Sequence, residues 1–253
     1  MENKIIESEV KRITDFIKSQ LFKAGFNSIL VGLSGGIDSA LVLQLCTLAL
    51  GQKNVFAFYL PYKTSSKKSY QDAVLVAQEV GIKLEIIPIT QMVDIYFKDI
   101  NNLENLRRGN FCARIRMSVL FDKAKEKKAL VAGTGNRSEL LTGYCTIFGD
   151  SACSFEPIGH LFKTEVKQMA KFLNLPKQII EKAPTADLWE GQTDEDEMGI
   201  SYQTLDNILI ALLDKKLSQS KLFEKFGEKR VQKVIQLVER SKFKREMPPC
   251  LDY

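Results

Sequence analysis

The sequence has very little of what several classes of protein need. It has a single histidine, His160, which excludes a catalytic site built on paired histidines and a His-rich metal site. Its five cysteines form no C-x-x-C pair and their number is odd, so we expect reduced thiols in a cytoplasmic protein. The apolar runs are far shorter than a membrane span, and the charged start MENKIIESEVKR lacks the pattern of a signal peptide. We therefore expect no membrane partner.

An excess of charge of one sign is also absent. The chain has 36 basic and 31 acidic residues, which gives a net charge of +5. This excess fits an anionic ligand as well as it fits ordinary solubility, and it is too small to indicate a nucleic-acid partner. At 253 residues and 45% hydrophobic, the chain can bury a substantial core. We expect one domain spanning residues 1–253.

Short apolar strands alternate with helical patterns in the first half of the chain. The hydrophobic periodicity predicts strands at 28–33, 54–61, 82–89 and 129–134, and helices at 4–24, 38–50, 67–81 and 103–127. Because the strands are continuous apolar runs, this order predicts an α/β fold with a doubly wound parallel sheet and helices on both faces. A helical C-terminal part follows, with helices at 163–176, 200–215 and 227–241 and a long loop at 183–199.

Three loops of the predicted sheet, 31–39, 60–66 and 133–139, emerge at its carboxyl edge, where ligands bind in such folds. The first contains SGGIDS, whose backbone N–H groups at a helix N-terminus can bind an anion without the lysine of a Walker loop. Asp38 would repel a phosphate unless a cation such as Mg²⁺ lay between them. The alternative is that Asp38 is only the N-cap of the helix and the glycines only form a tight turn.

Other polar residues allow two interpretations each. In GTGNRSELL, Asn136 and Glu139 have the spacing of a capping box, and Glu139 is equally a candidate second carboxylate for the same Mg²⁺. Arg114 and Arg116 lie about 200° apart on a helix, so they cannot both face one site. His160 has no evident partner in the sequence and is interpreted as structural. The acidic run 194–197 is interpreted as favouring a helix dipole.

The segment SGGIDS at 34–39 resembles the pyrophosphate loop of the N-type ATP pyrophosphatases. With GNFCARIRM, GTGNRSELLTGY, FGD, EKAPTADLW and the DE…GISY series, the chain resembles the ammonia-dependent NAD synthetases from about residue 12 to residue 249. The resemblance implies an adenine-nucleotide alpha-hydrolase-like fold and ATP-dependent amidation of deamido-NAD by ammonia. The carboxylate of deamido-NAD would be adenylated, and AMP and pyrophosphate would be released with NAD.

The resemblance also assigns roles to individual residues. Asp38 and Glu139 would bind Mg²⁺, and Lys163 would supply the positive charge that the loop lacks. The residues implied for ATP are Gly32, Leu33, Ser34, Gly35, Gly36, Ile37, Asp38, Ser39, Thr134, Lys163 and Thr185. The residues implied for deamido-NAD are Arg114, Phe243 and Lys244. The chain departs from the family at Phe243, where a histidine is usual, at Ile147, where a lysine is common, and at Ser154, where an acid is common. In the family, all three positions concern the dinucleotide.

Further expectations follow from the same resemblance. It implies a homodimer, no attached glutamine-hydrolysing domain, and loops at about 62–68 and 183–199 that order over bound substrates. Two other interpretations stay open at this point. One is a different ATP pyrophosphatase, such as a tRNA-modifying lysidine synthetase or thiolase, and the other is a non-catalytic nucleotide-binding protein of the same fold.

Overall fold

The computed structural model describes residues 3–189 and 191–251. Its sheet has four parallel strands: β1 Ser28–Gly32, β2 Val55–Tyr59, β3 Leu84–Ile86 and β4 Ala129–Ala132. Their order across the sheet is β3-β2-β1-β4. The chain therefore builds the sheet outwards from β1 in one direction and then returns to add β4 on the other side of β1. The topological switch point lies between β1 and β4.

Twelve α-helices are described. They are α1 Asn3–Ala24, α2 Ile37–Leu50, α3 Lys67–Val80, α4 Thr90–Phe97, α5 Asn105–Lys127, α6 Arg137–Thr142, α7 Lys163–Phe172, α8 Lys177–Glu181, α9 Asp194–Met198, α10 Tyr202–Leu209, α11 Gln219–Phe226 and α12 Glu228–Arg240. A π-helical turn, Ile210–Asp214, extends α10. Among the described residues, no helix is both long and apolar enough to cross a bilayer.

Helices cover both faces of the sheet, as the continuous apolar strands predict. Ile29 and Val31 of β1 join a fully buried cluster with residues of α1, α2, α3, α7 and α8. Leu30, between them, points to the opposite face and packs with Phe58 of β2 and with α4 and α5. Each such side chain contributes about 1.5–3 kcal/mol through removal of apolar surface from water. A third cluster joins α10, α11 and α12. The predicted α/β class is confirmed.

The structure differs from the sequence prediction in local detail. The third strand covers only residues 84–86, since Pro88 has no N–H group to continue the ladder, and the chain then enters α4, a helix that the periodicity did not indicate. The short helices α8 and α11 were also not predicted, and α9 lies inside the stretch 183–199 that was predicted to be a loop. His160, expected to have no partner, lies 2.6 Å from a carboxylate oxygen of Glu9 on α1. This contact spans 151 positions of the chain and has no local signal.

Candidate active site

The loop between β1 and α2 presents backbone amides at a helix N-terminus. Gly36 is the N-cap of α2 and provides no side-chain cap, so Asp38 lies inside the first turn and is not the N-cap itself. The hydroxyls of Ser34 and Ser39 lie 3.1 Å apart, and Ser39 donates to the Gly36 carbonyl at 3.0 Å. Gly35 has a φ of +81°, a conformation that glycine adopts without strain. The loop thus places two hydroxyls beside a helix N-terminus, which is the polarity of an anion site.

Two carboxylates and one ammonium meet where this loop faces the start of α6. Lys163 Nζ lies 2.6 Å from Asp38 Oδ2 and 2.9 Å from Glu139 Oε1. The three side chains are between 9% and 16% exposed, so water screens these charges only partly. Asp38 follows β1 and Glu139 follows β4, so the cluster lies at the switch point, where α/β sheets bind ligands. The three residues predicted to be catalytic are therefore neighbours.

Glu139 takes part in the capping box with one carboxylate oxygen and in the cluster of Asp38, Glu139 and Lys163 with the other. Glu139 N–H donates to Asn136 Oδ1 at 3.0 Å, and Asn136 N–H points at Glu139 Oε2 at 3.5 Å. The other oxygen, Oε1, accepts from Lys163. Asn136 also donates from Nδ2 to Asp38 Oδ1 at 2.9 Å, which joins the cap to the opposite loop. The two interpretations of Glu139 are thus compatible, because the cap orients a carboxylate that also faces Lys163.

Burial and charge act against each other within this cluster. Burial raises the pKa of the Glu139 carboxyl to about 7, and the nearby Lys163 ammonium acts in the opposite direction. Burial by itself would lower the pKa of Lys163, but the Asp38 and Glu139 carboxylates outweigh it and raise that pKa above its ordinary value. Lys163 is consequently a fixed positive charge near neutral pH.

A buried aspartate holds the two helices that carry Glu139 and Lys163. Asp206 of α10 is 1% exposed and accepts from Ser138 Oγ at 2.5 Å and from the Thr164 N–H at 2.9 Å. Ser138 Oγ in turn accepts from the Lys163 N–H at 3.0 Å. The N-termini of α6 and α7 are therefore linked to each other through one carboxylate, and this link fixes the separation of Glu139 and Lys163.

The other residues predicted to bind ATP lie on the surrounding loops. Gly32 and Leu33 continue β1, and Leu33 N–H donates to the Phe58 carbonyl at 2.8 Å. Thr134 follows β4 in the loop that leads to α6. Thr185 lies on the segment between α8 and α9, where its hydroxyl accepts from the Asp187 N–H at 3.0 Å. Their binding roles stay predictions.

Two of the three residues predicted to bind the dinucleotide, Arg114 and Lys244, contact one segment, 143–147. Lys244 Nζ donates to the carbonyls of Gly143 and Cys145, both at 2.7 Å. Arg114 Nε donates to the Ile147 carbonyl at 3.3 Å. Arg114 is exposed, and Arg116 instead donates to the Leu60 carbonyl at 2.9 Å on a different side of α5.

Phe243 is 62% exposed beside Lys244, so the aromatic side chain in the position of the family histidine is open to solvent. The structure therefore joins Arg114 and Lys244 to the 143–147 segment, and Phe243 is the chain neighbour of Lys244. Their role in binding deamido-NAD stays a prediction.

Asp194 and Tyr202 join this site although the sequence did not indicate them. Tyr202 OH lies 3.1 Å from Asp194 Oδ2 and 3.4 Å from Glu139 Oε1, and the Lys163 ammonium lies 5.1 Å from the centre of the Tyr202 ring. Asp194 begins the short helix α9, whereas the sequence analysis placed the acidic run in a loop before a helix at 200–215, and its side chain is 4% exposed and faces the cluster. Burial raises the pKa of Asp194 above its ordinary value.

Glu156 is a second carboxyl that the sequence analysis missed. Its Oε2 accepts from the Gly135 N–H at 3.0 Å, and burial raises its pKa to about 7. A Cβ at Gly133 would lie 2.4 Å from the same carboxylate, so that glycine makes room for it. A signal existed: Glu156 lies two residues after Ser154, and alternate residues of an extended segment face the same side. Around Phe155 the chain is extended and bridges Ala132 of β4.

The geometry described so far agrees with comparisons to known proteins. The profile of the NAD synthase family matches residues 9–248, nearly the whole chain. The chain belongs to the NAD synthase family. An NH(3)-dependent NAD(+) synthetase of Fusobacterium nucleatum is 45% identical over 237 residues, which cover 93% of this chain and 92% of that protein. The corresponding protein of Wolinella succinogenes is 44% identical over 242 residues, which cover 95% and 93%.

Solved structures of this family resemble the fold closely. The NH3-dependent NAD synthetase from Campylobacter jejuni, in complex with the nitrate ion, is 36% identical with a TM-score of 0.84 and covers 100% of both chains. An NMN synthetase from Francisella tularensis is 30% identical with a TM-score of 0.85, over 98% of this chain and 99% of that one. Two differently named enzymes thus share the fold of this NAD synthase family member.

Proposed function

We propose that this chain is an ammonia-dependent NAD synthetase, a carbon–nitrogen ligase that amidates deamido-NAD with ammonia at the expense of ATP. The observation that carries the proposal is the meeting of Asp38, Glu139 and Lys163 beside the amides of the SGGIDS loop, at the switch point of the sheet. A nucleotide phosphate needs both features, a nest of N–H donors and compensating charge. Family membership supports the choice of reaction.

The reaction balances without a nucleophile from the protein. A carboxylate oxygen of the nicotinate group attacks the α-phosphorus of ATP, the bond to the bridging oxygen of the β-phosphate breaks, and pyrophosphate leaves. The nitrogen of ammonia then attacks the carbonyl carbon of the mixed anhydride. The bond from that carbon to the AMP oxygen breaks, AMP leaves with the oxygen, and the nitrogen loses a proton. The protein contributes positioning and electrostatic stabilisation.

The residues present fit Mg²⁺. Asp38 and Glu139 both direct a carboxylate oxygen at one cation, the Lys163 ammonium, and oxygen donors are what Mg²⁺ prefers. Asp38 and Glu139 would hold the metal, which usually takes one or two carboxylates together with substrate phosphates. When bound, it would neutralise charge on the phosphates. Lys163 would then be released towards the nucleotide, where its fixed charge replaces the lysine absent from the loop.

The remaining predicted site residues are assigned to two subsites. The ATP subsite comprises residues 32–39 with Thr134, Lys163 and Thr185, and the deamido-NAD subsite comprises Arg114, Phe243 and Lys244. We also propose that one domain spanning 1–253 carries both subsites, that the protein acts in the cytoplasm, and that it forms a homodimer. Light scattering after size-exclusion chromatography tests the dimer, and a monomer at micromolar concentration would contradict it.

The experiment is a product assay with purified protein, deamido-NAD, ATP and Mg²⁺, supplied with either ammonium chloride or glutamine. We expect equal amounts of NAD and AMP with ammonia and at least a hundredfold slower formation with glutamine. ATP binding without AMP would instead support the non-catalytic interpretation. AMP formation that responds to tRNA and ignores deamido-NAD would support a tRNA-modifying enzyme.

A second substrate is favoured by a specific observation. The chain departs from the family at Ile147, Ser154 and Phe243, all predicted to concern the dinucleotide, and one close structural neighbour is an NMN synthetase. The alternative is amidation of the mononucleotide, nicotinic acid mononucleotide, by the same chemistry. Comparing kcat/KM for the two carboxylates in the same assay decides between them: a higher value for the mononucleotide would support the alternative.

A further inference from the structure

A second, partly buried lysine, Lys182, contacts the anion loop apart from the carboxylate cluster. Lys182 Nζ lies 2.9 Å from Asp72 Oδ2 on α3, 3.1 Å from Ser69 Oγ and 3.2 Å from the carbonyl oxygen of Gly35. The Lys182 side chain is 14% exposed and that of Asp72 is 0% exposed. Gln178 of α8 donates to the other Asp72 oxygen at 2.8 Å, so both oxygens of this buried carboxylate have partners.

Lys182 determines the orientation of one peptide group in the loop. In a trans peptide the C=O and the following N–H point in opposite directions, and the described residues contain no cis peptide bond. The Gly35 carbonyl points at Lys182, so the Gly36 N–H points to the opposite side, where Ser34 Oγ accepts at 3.2 Å. Ser34 Oγ also lies 3.1 Å from Ser39 Oγ in the first turn of α2, so the Gly36 N–H is on the hydroxyl side of the loop, at the helix end whose first N–H groups lack intrahelical acceptors.

A glycine pair makes this orientation easy to lose. Gly35 has a φ of +81° and is followed by a second glycine, so rotation of the peptide between them meets little steric resistance. A rotated peptide would direct a carbonyl oxygen, instead of an N–H group, at the anion. An ammonium has three protons, and Gly35, Ser69 and Asp72 provide three acceptors. Lys182 therefore has no proton left to bind a phosphate directly.

We infer that Lys182 is a positioning residue, which holds the Gly35–Gly36 peptide so that the Gly36 N–H, whose acceptor in the structure is Ser34 Oγ, is directed at the pyrophosphate moiety of ATP. This inference rests on the proposed function for the identity of the ligand. Asp72 anchors the lysine and contributes no contact of its own to the ligand. Lys182 also precedes the segment with Asp187, whose carboxylate accepts from the N–H of Ser66, the N-cap of α3, at 3.1 Å. Lys182 and Asp187 thus connect the segment between α8 and α9 to the anion loop and to α3.

The test separates pyrophosphate from AMP, because only pyrophosphate needs the Gly36 N–H. Calorimetry measures the affinity of each ligand, with Mg²⁺, for the full-length protein, so no turnover is required. Lys182→Met removes the ammonium but leaves Asp72 unpaired and buried, which threatens folding. The double variant Asp72→Asn/Lys182→Met removes both charges, so it leaves no buried carboxylate without its counter-ion and its ligand affinities can still be measured. Lys177→Met, on the exposed side of α8, is the matched control, since Lys177 is 84% exposed.

We expect the double variant to bind pyrophosphate at least tenfold more weakly and AMP within twofold of the unsubstituted protein. The Lys177 variant should bind both as before. If the double variant binds pyrophosphate within twofold of the unsubstituted protein, the inference is overturned. An equal loss of affinity for pyrophosphate and for AMP would also overturn it, because it would indicate that the whole site is perturbed. If the original protein binds pyrophosphate but makes no AMP with deamido-NAD, the proposed function fails while the role of Lys182 is still measured.

Discussion

Gly35 offers a quantitative test of how the anion loop is built. Alanine at this position would have to adopt a φ of +81°, and its Cβ would lie 2.3 Å from the carbonyl oxygen of Ser69 on α3. The left-handed conformation costs an L-residue about 1–2 kcal/mol. The overlap is with backbone, which cannot rotate away, and overpacking of this kind adds about 1–3 kcal/mol. We expect Gly35→Ala to lower the free energy of unfolding by about 3 kcal/mol.

Gly25 is the matched control for this substitution. It has a similar φ of +72°, but a Cβ there would meet no atom within 4 Å. Gly25→Ala therefore carries the conformational cost alone and should lose about 1–2 kcal/mol. Urea unfolding of both variants gives the two free energies, and AMP formation gives their activities.

The activities should diverge further than the stabilities. Relief of the clash at Gly35 requires the loop or the first turn of α3 to move, and the loop carries the amides and hydroxyls predicted to bind ATP. We expect Gly35→Ala to lose at least tenfold in kcat/KM for ATP and Gly25→Ala to stay within twofold. Equal losses of stability in the two variants, with activity unchanged in both, would refute the close packing of α3 against the loop.

Three other predictions concern single polar contacts. Glu139→Gln should retain the capping box, since glutamine also accepts the Asn136 N–H, and its free energy of unfolding should stay within about 1 kcal/mol of the original. Its rate of NAD formation should nevertheless fall at least a hundredfold. Near-normal turnover would restrict the role of Glu139 to capping. Glu156→Gln tests a carboxyl whose folded pKa of about 7 exceeds its ordinary value. The original protein then loses stability as pH rises from about 4.5 through 7, so the variant's relative stability should grow by about 1 kcal/mol per pH unit in urea melts; a pH-independent difference would contradict this. Lys244→Met should raise KM for deamido-NAD about tenfold while KM for ATP stays constant, and equal changes in both would place Lys244 outside the dinucleotide subsite.

The sequence predicts the convergence of Asp38, Glu139 and Lys163 only in part. The first two follow strands of a parallel sheet, and loops after such strands meet at its carboxyl edge, so their proximity follows from strand order alone. Lys163 lies at the start of a helix with no strand before it. Its position depends on the link from Ser138 through Asp206, a contact that spans 68 residues. The participation of Lys163 in the site was indicated only by the family resemblance, and not by the hydrophobic periodicity.

Residues that the sequence analysis missed have the same physical character. Lys182, Tyr202 and Glu156 act through contacts with residues distant in the chain, such as the 147 positions that separate Lys182 from Gly35. Charged side chains in polar, aperiodic segments look like solvated surface until the fold buries them. Asp194 illustrates this: a run of four acids predicts an exposed first turn, and only its first member is buried.

The central claim is that the carboxylate of deamido-NAD attacks the α-phosphorus of ATP. Deamido-NAD labelled with ¹⁸O in its carboxylate tests it directly when turned over with ATP, Mg²⁺ and ammonia and followed by mass spectrometry of the products. We predict one ¹⁸O atom in each AMP, one in each NAD, and none in pyrophosphate. Label in pyrophosphate, or AMP free of label, would contradict adenylation of the carboxylate.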